Sequence, residues 1–471
     1  MEKSKAACLL GCSALAIAAL LAVNGSTEPA QAAPGTACKP KLDGGPFPMK
    51  AVPSGPVGEG PFQKDDEQGL IGQEFFISCT GTAGPYKTLI RVVMPKDPSK
   101  RSGFSMVEPD ASVYRKTFNY MSRAGHIAIA VISSPSALES LKKSDPARYG
   151  SLNLPAGSKS GYLVLGGQVF ETPTEFEVLA QAGEFIKSGG IPGVRAGKVI
   201  LAGMSSRSAV VRNYMAWEHP RPGMKSVFDG YFPAQGRKTG YAGPLPDMDV
   251  PIIDLEGERE LEVLPYAGEP TITYRRPDGP LFRLYEVPGM VHDITRGAPP
   301  TAFGADKCIG GHTLSDFPNQ VVFSAVLSKL VAWVEKGVAP PSVPWISTSA
   351  DGREIKRDQF GNALGGYRIS YVDVPINTYH ALWAKYSVKP RVSPGPDPVV
   401  AVGPADQAAI DCDKIGWMEP LSKAQLQKLY SSHDDYVAKV SKSLDASVAQ
   451  GLVLPEDAKD LLKEAQQAKI P

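Results

Sequence analysis

The residues with the clearest chemical potential are Gly203-Met204-Ser205-Ser206-Arg207-Ser208. They follow an apolar run, Lys198-Val199-Ile200-Leu201-Ala202, that predicts a strand. They lead into Ser206 to Trp217, where Val210, Val211, Tyr214 and Met215 share one helical face. A serine in a strand-to-helix turn is the setting of a nucleophile elbow, which holds the hydroxyl above a sheet for attack on an acyl carbon. Small residues two before and two after the serine let that turn close. For Ser205, Gly203 meets the first requirement, whereas Arg207 does not meet the second and Ser208 follows one place later. Ser206 as nucleophile would put Met204 at the first position, and Ser208 would put Ser206 there, so only Ser205 has the glycine. The plainer alternative is that Ser205 and Ser206 simply cap the helix.

A serine nucleophile needs a base, and the chain has six histidines: His126, His219, His292, His312, His380 and His433. His292 lies in Val287-Pro288-Gly289-Met290-Val291-His292-Asp293, just after a predicted strand, Phe282 to Val287. A loop after a late strand is where hydrolases of this topology place the base. The third member is a carboxylate that keeps the imidazole in its productive tautomer. Asp254, Glu256, Glu258 and Glu260 all follow Pro251, and spacing alone leaves the choice among them open. The chain order serine, acid, histidine is the expected one.

These residues require a sheet to carry them. Thr88 to Pro95, Ile127 to Ile132, Lys198 to Ala202, Pro251 to Leu255 and Phe282 to Val287 predict strands, several as continuous apolar runs suited to a parallel sheet buried on both faces. Glu175 to Lys187, Ser206 to Trp217 and Gln320 to Lys336 have helical spacing. Strands alternating with helices predict an α/β class with a mostly parallel sheet. The expected organisation is a leader over 1–32, an N-terminal extension over 33–84, an α/β core over 85–344 and a C-terminal cover over 345–471. The extension contains one short strand, Glu74 to Ser78, and the cover ends in two helices split near Gly451 and Pro455.

Composition narrows the function. The 471 residues carry 50 Lys and Arg against 49 Asp and Glu, a formal charge of +1, which gives no electrostatic reason to expect nucleic acid. Glycine and proline make up about a fifth of the chain, below the level at which disorder is the better reading. Lys3 and Lys5, the apolar run Leu9 to Val23 and Ala30-Gln31-Ala32 read as a secretory signal peptide. No stable membrane span is expected after its removal, and the mature chain would be periplasmic or secreted. Four cysteines remain: Cys38, Cys79, Cys308 and Cys412. An even number in an exported chain favours disulfides, and Cys38–Cys79 with Cys308–Cys412 closes the shortest loops. None lies in a CxxC pair, so no metal site is expected.

At these residues the chain resembles the alpha/beta hydrolase domain-containing proteins, a family of bacterial, often exported, esterases. Asp145-Pro146-Ala147-Arg148-Tyr149-Gly150-Ser151-Leu152 is similar to the family's D-P-x-R-Y-G-S-L segment, and Phe228-Asp229-Gly230 also fits. Pro251 to Glu260 resembles a P-V-x-x-x-x-S-E-T-D-like stretch, which implies Glu258 as the acid. Leu284 to His292 resembles L-Y-E-V-x-G-x-x-H, which implies His292 as the base. Gly361 to Arg368, Val372 to Pro375 and Leu454 to Ala458 resemble C-terminal signatures, which implies that the cover is integral to the fold. The elbow departs from the family's G-x-S-x-S-G in its last two positions. Gly103 to Pro109 stands, shortened, where the family has an N-x-S-G-G-like loop tied to the oxyanion hole. The first oxyanion donor is expected to be the Ser206 backbone N–H, and the second is unassigned. Arg207 is a further candidate contact to the oxyanion or to a substrate carboxylate, although a helix-face arginine paired with an acid is preferred.

Residues and resemblance together predict an exported serine hydrolase of the α/β-hydrolase fold. It would cleave small-molecule carboxylic esters through Ser205, His292 and Glu258, without metal or cofactor. The alternatives are amide or lactone cleavage by the same residues, or a non-catalytic binding protein.

Overall fold

The apolar runs become a nine-stranded sheet in the computed structural model. It describes residues 38–49, 69–110, 112–155, 164–165, 168–169, 174–195, 197–218, 225–236, 245–261, 275–297, 312–381 and 414–470. In chain order the strands are β1 (Lys41–Pro48), β2 (Leu70–Gly81), β3 (Gly84–Pro95), β4 (Phe104–Pro109), β5 (Ile127–Val131), β6 (Val164–Leu165), β7 (Gln168–Val169), β8 (Lys198–Met204), β9 (Gly230–Ala234), β10 (Ile252–Gly257), β11 (Phe282–Val287), β12 (Thr313–Leu314), β13 (Asn377–His380) and β14 (Trp417–Pro420). The large sheet runs β1-β2-β3-β5-β4-β8-β9-β10-β11. From β5 to β11 every neighbouring pair is parallel. The pairs β1–β2, β2–β3 and β3–β5 are antiparallel.

Burial on both faces explains the continuous apolar runs. Successive side chains of a strand point to opposite faces. In β8, Ile200 and Ala202 therefore join one buried cluster and Val199 and Leu201 the other. The first face is covered by α1 (Tyr114–Ala124) and by a helix over Asn319–Lys336, through Met121, Phe323, Val326 and Leu330. The second is covered by a helix over Thr174–Lys187 and one over Ser206–Glu218, through Phe176, Leu179, Val210 and Tyr214. With α2 (Pro135–Ser144), α3 (Pro146–Tyr149) and the short Glu258–Leu261 turn counted in chain order, these are α4 (174–187), α5 (206–218), α6 (258–261) and α7 (319–336).

Three expectations change. The boundary at 84/85 falls inside the β2–β3 hairpin, so the N-terminal extension contributes two strands to the main sheet, one of them twelve residues long. Gly103 to Pro109 is not a loop: Phe104 to Pro109 is β4, buried throughout, and the strand ends before Asp110. β3, although apolar, runs antiparallel to β5. Cys38 and Cys79 form a disulfide, Cα to Cα 5.8 Å, beside the β1–β2 pairing. Cys308, Cys412 and the expected signal peptide lie outside the described residues.

The C-terminal part holds α8 (Ser370–Asp373), α9 (Lys423–Leu429), α10 (His433–Ala449), α11 (Pro455–Gln467) and the small sheet β12-β14-β13. Tyr367, Ile369, Leu444 and Leu461 belong to the same apolar cluster as Ile253 and Leu255 of the main sheet. Tyr367 N–H donates to Glu286 O at 2.6 Å, and Tyr367 OH donates to Leu452 O at 2.6 Å. Among the described residues no helix is long and apolar enough to cross a membrane.

Candidate active site

Parallel strands deliver their C-terminal ends to one edge of a sheet, and the loops that leave there gather residues distant in sequence. Four neighbouring strands, β8 to β11, do this here. Ser205 follows β8, Gln235 follows β9, Glu258 and Glu260 follow β10, and His292 follows β11.

Ser205 occupies the turn between β8 and α5 with φ of +56°, a left-handed conformation that a serine rarely adopts. Its N–H donates to Ala234 O at 3.0 Å, and Ala209 N–H closes the first helical turn onto its carbonyl at 3.2 Å. Ser205 is partly exposed, and Ser206, the first residue of α5, is exposed. The turn explains its glycine: a Cβ at Gly203 would lie 2.4 Å from Arg207 O. Gly203→Ala is therefore expected to destabilise the fold by about 1–3 kcal/mol, read as a lowered midpoint in denaturant unfolding. Packing on the far side is equally close, because a Cβ at Gly236 would lie 2.7 Å from Ser205 O.

Arg207 is paired with two acids. Its guanidinium meets Asp110 Oδ2 at 2.5 Å and Glu175 Oε1 at 3.7 Å. The preferred reading of Arg207, a helix-face arginine paired with an acid, matches these contacts. Asp110, with φ of +60°, begins the turn after β4. Burial pushes its carboxyl up to about 6, with Arg207 opposing. Within the same turn Glu108 accepts N–H bonds from Ser112 at 2.5 Å, from Val113, and from Tyr114 at 2.9 Å. Ser112 Oγ accepts Met204 N–H at 3.0 Å, which joins the turn to the end of β8. The N–H groups of Asp110, Ser112, Val113 and Tyr114 thus all have partners within the protein.

His292 is buried, and its Nδ1 lies 2.8 Å from Glu260 Oε1. Glu260 is steadied by Arg259 Nη1 at 3.1 Å and by Gly257 N–H at 3.2 Å. Burial works against ionisation of Glu260, but His292 and Arg259 outweigh it and hold the carboxyl well below the usual range. Burial lowers the His292 pKa, opposed by the bond to Glu260. Near neutral pH the pair is therefore a carboxylate and a neutral imidazole. A carboxylate only accepts, so Nδ1 carries the hydrogen and Nε2 keeps its lone pair.

The acid expected at Glu258 is not the one beside the histidine. Glu258 opens α6, and Glu260 is two residues on, about 200° around the helix axis. The two carboxylates therefore face different ways. Glu258 accepts Gly289 N–H at 2.7 Å and meets Arg357 of the C-terminal part at 2.7 Å. Asp254 and Glu256 are also engaged, at 2.5 and 2.6 Å from the buried Arg212 guanidinium.

The loop carrying His292 has no regular structure, and side chains hold its backbone. Gln235 Nε2 donates to Val291 O at 2.8 Å. Asn319 Nδ2 donates to Val291 O at 2.7 Å and to Asp293 O at 3.1 Å. Lys116 Nζ donates to His292 O, and to Gln235 Oε1 at 2.7 Å. Asp293 N–H donates to Lys414 O at 2.8 Å, so the C-terminal part also touches this loop. Sequence reasoning missed Lys116, Gln235 and Asn319. None of the three carried a sequence signal, since the strand that ends before Gln235 was not among those expected. Among the described residues no group of three or more His, Cys, Asp or Glu is placed to hold a metal ion.

A family model described as an alpha/beta hydrolase domain matches residues 63–463. No curated protein matches the chain. Among solved structures, brefeldin A esterase, a bacterial homologue of human hormone-sensitive lipase, is 12% identical, with 38% of this chain and 43% of that one covered and a TM-score of 0.24. Acetyl xylan esterase 1 from Thermoanaerobacterium is 11% identical, over 42% and 53%, with a TM-score of 0.22. MGS-M1, an alpha/beta hydrolase from a Medee basin deep-sea metagenome library, is 14% identical, over 53% and 93%, with a TM-score of 0.30. The chain spans about half or less of the first two.

Proposed function

The chain belongs to the alpha/beta hydrolase domain family, and from that premise we propose that it is a serine hydrolase cleaving carboxylic esters. One observation carries the reading: a buried imidazole bonded to a carboxylate at 2.8 Å stands on the sheet edge that also presents a serine in a left-handed elbow. In this reading Ser205 Oγ attacks the ester carbonyl while His292 Nε2 takes its proton. The tetrahedral oxyanion accepts the Ser206 N–H at the start of α5. The imidazolium, stabilised by Glu260, then protonates the departing alkoxide, and water resolves the acyl-enzyme by the same steps in reverse roles. Glu260 replaces Glu258 as the orienting acid.

The altered elbow, with Arg207 where a small residue is favoured, and the shortened loop expected at Gly103 to Pro109 were the grounds for a binding protein without catalysis. The pairing of Arg207 with Asp110 accounts for that residue without loss of the elbow. The leaving group is not set by these residues, so amides, lactones and thioesters belong in the substrate panel beside esters. We further propose that the mature chain is exported, which the Cys38–Cys79 disulfide favours.

A pH profile tests the base. The reaction needs neutral His292, and burial lowers its pKa, so activity should be lost only as pH falls through a value below the ordinary imidazole figure of about 6.5. An acid limb of kcat/KM above pH 7 would count against His292 in this setting.

A further inference from the structure

We infer that Lys116 and Gln235 are positioning residues that set the His292 loop in register with the Ser205 elbow. The inference rests on the serine-hydrolase reading above. Lys116 projects from α1, on the opposite side of the sheet from α5, and is buried. Its ammonium sits 4.8 Å from the Phe323 ring centroid and bonds two acceptors, the backbone carbonyl of His292 and the side-chain carbonyl of Gln235. Placing a cation there is costly: burial pulls its pKa down to about 7, against the attraction of Asp293 and Glu260, while Arg115 adds to the lowering. A buried lysine that forms no close ion pair among the described residues is a poor stability device. The bonds it makes point instead to the histidine loop.

Gln235 completes the link. Its backbone is left-handed, with φ of +47°, and its N–H is fixed on Leu255 O at 2.7 Å. The residue before it, Ala234, accepts the Ser205 N–H, and the residue after it, Gly236, packs on Ser205 O. The Gln235 side chain meanwhile donates to Val291 O and accepts from Lys116. One residue thus has the nucleophile turn on its backbone neighbours and the base loop on its amide. Both side chains meet the base loop at backbone carbonyls, so their part is taken through His292.

Lys116→Met and Gln235→Ala test this, with Tm measured on each. Misplacement of the base by about an ångström is expected to lower kcat roughly 10- to 100-fold, with KM changed less than about threefold because substrate contacts are untouched. The double variant should be no worse than the poorer single, since the two act as one unit. Lys116→Met should also move the acid limb of kcat/KM to higher pH, because a cation beside the loop disfavours the imidazolium. A general packing defect would lower Tm without moving that limb. Folded variants with kcat within threefold of the parent, or losses that add with an unmoved limb, would overturn the inference. So would failure of both variants to fold, which would assign the pair to the fold alone. Ester turnover surviving in Ser205→Ala would instead overturn the serine-hydrolase reading.

Discussion

Replacing Ser205 by alanine is expected to lower ester turnover by roughly 10⁴-fold or more and to abolish labelling by a fluorophosphonate. The change removes one oxygen from a partly exposed side chain, so the fold should persist; the strained φ of +56° belongs to the backbone and is imposed by the Ala234 and Ala209 hydrogen bonds. Stability and activity are therefore separable, by unfolding for the first and by turnover with labelling for the second. The neighbouring serine is the internal control. Ser206→Ala keeps the backbone N–H assigned to the oxyanion and should retain most activity. If Ser205→Ala still labels at the parental rate, the nucleophile lies elsewhere.

The second large effect separates two glutamates that sequence alone does not rank. Glu260→Gln is expected to cost roughly 10³- to 10⁴-fold in kcat. The amide can turn its NH₂ toward Nδ1, which favours the wrong tautomer, and it no longer stabilises the imidazolium. Glu258→Gln leaves the His292 contact intact. It weakens the bond to Arg357 at 2.7 Å, and the expected result is a loss of about 1–3 kcal/mol in stability with kcat within a few-fold of the parent. Kinetics and denaturant unfolding on the two variants give opposite patterns. A catalytic loss at Glu258 with Glu260→Gln near normal would restore the original expectation.

That reversal shows where sequence reading stops. The strand ending at Gly257 was legible from its apolar run, and so was the cluster of acids after it. Which acid meets the histidine depends on where the strand gives way to a helical turn, since each helical residue rotates the side chain by about 100°. An error of one or two residues in that boundary exchanges Glu258 for Glu260. Of the parallel strands, β5, β8, β10 and β11 were legible because burial on both faces leaves continuous apolar runs, whereas β4 and β9 were not. β1, Lys-Leu-Asp-Gly-Gly-Pro-Phe-Pro, was not, because it is an edge strand whose existence depends on pairing with β2 and whose residues show no alternation. Lys116 and Gln235 were illegible for a similar reason. One lies on an ordinary amphipathic helix and the other just past a five-residue strand, and only the folded chain brings them to His292.

The bond from Asp293 N–H to Lys414 O has a consequence in time rather than in space. A ribosome makes Ser205 and His292, the proposed nucleophile and base, long before the segment that braces the His292 loop. A nascent chain therefore holds both reactive groups while the loop that must aim one at the other still lacks its last support. On the proposed reading, the last brace of the base loop is acquired late in synthesis, once the region around residue 414 has been made and has folded back.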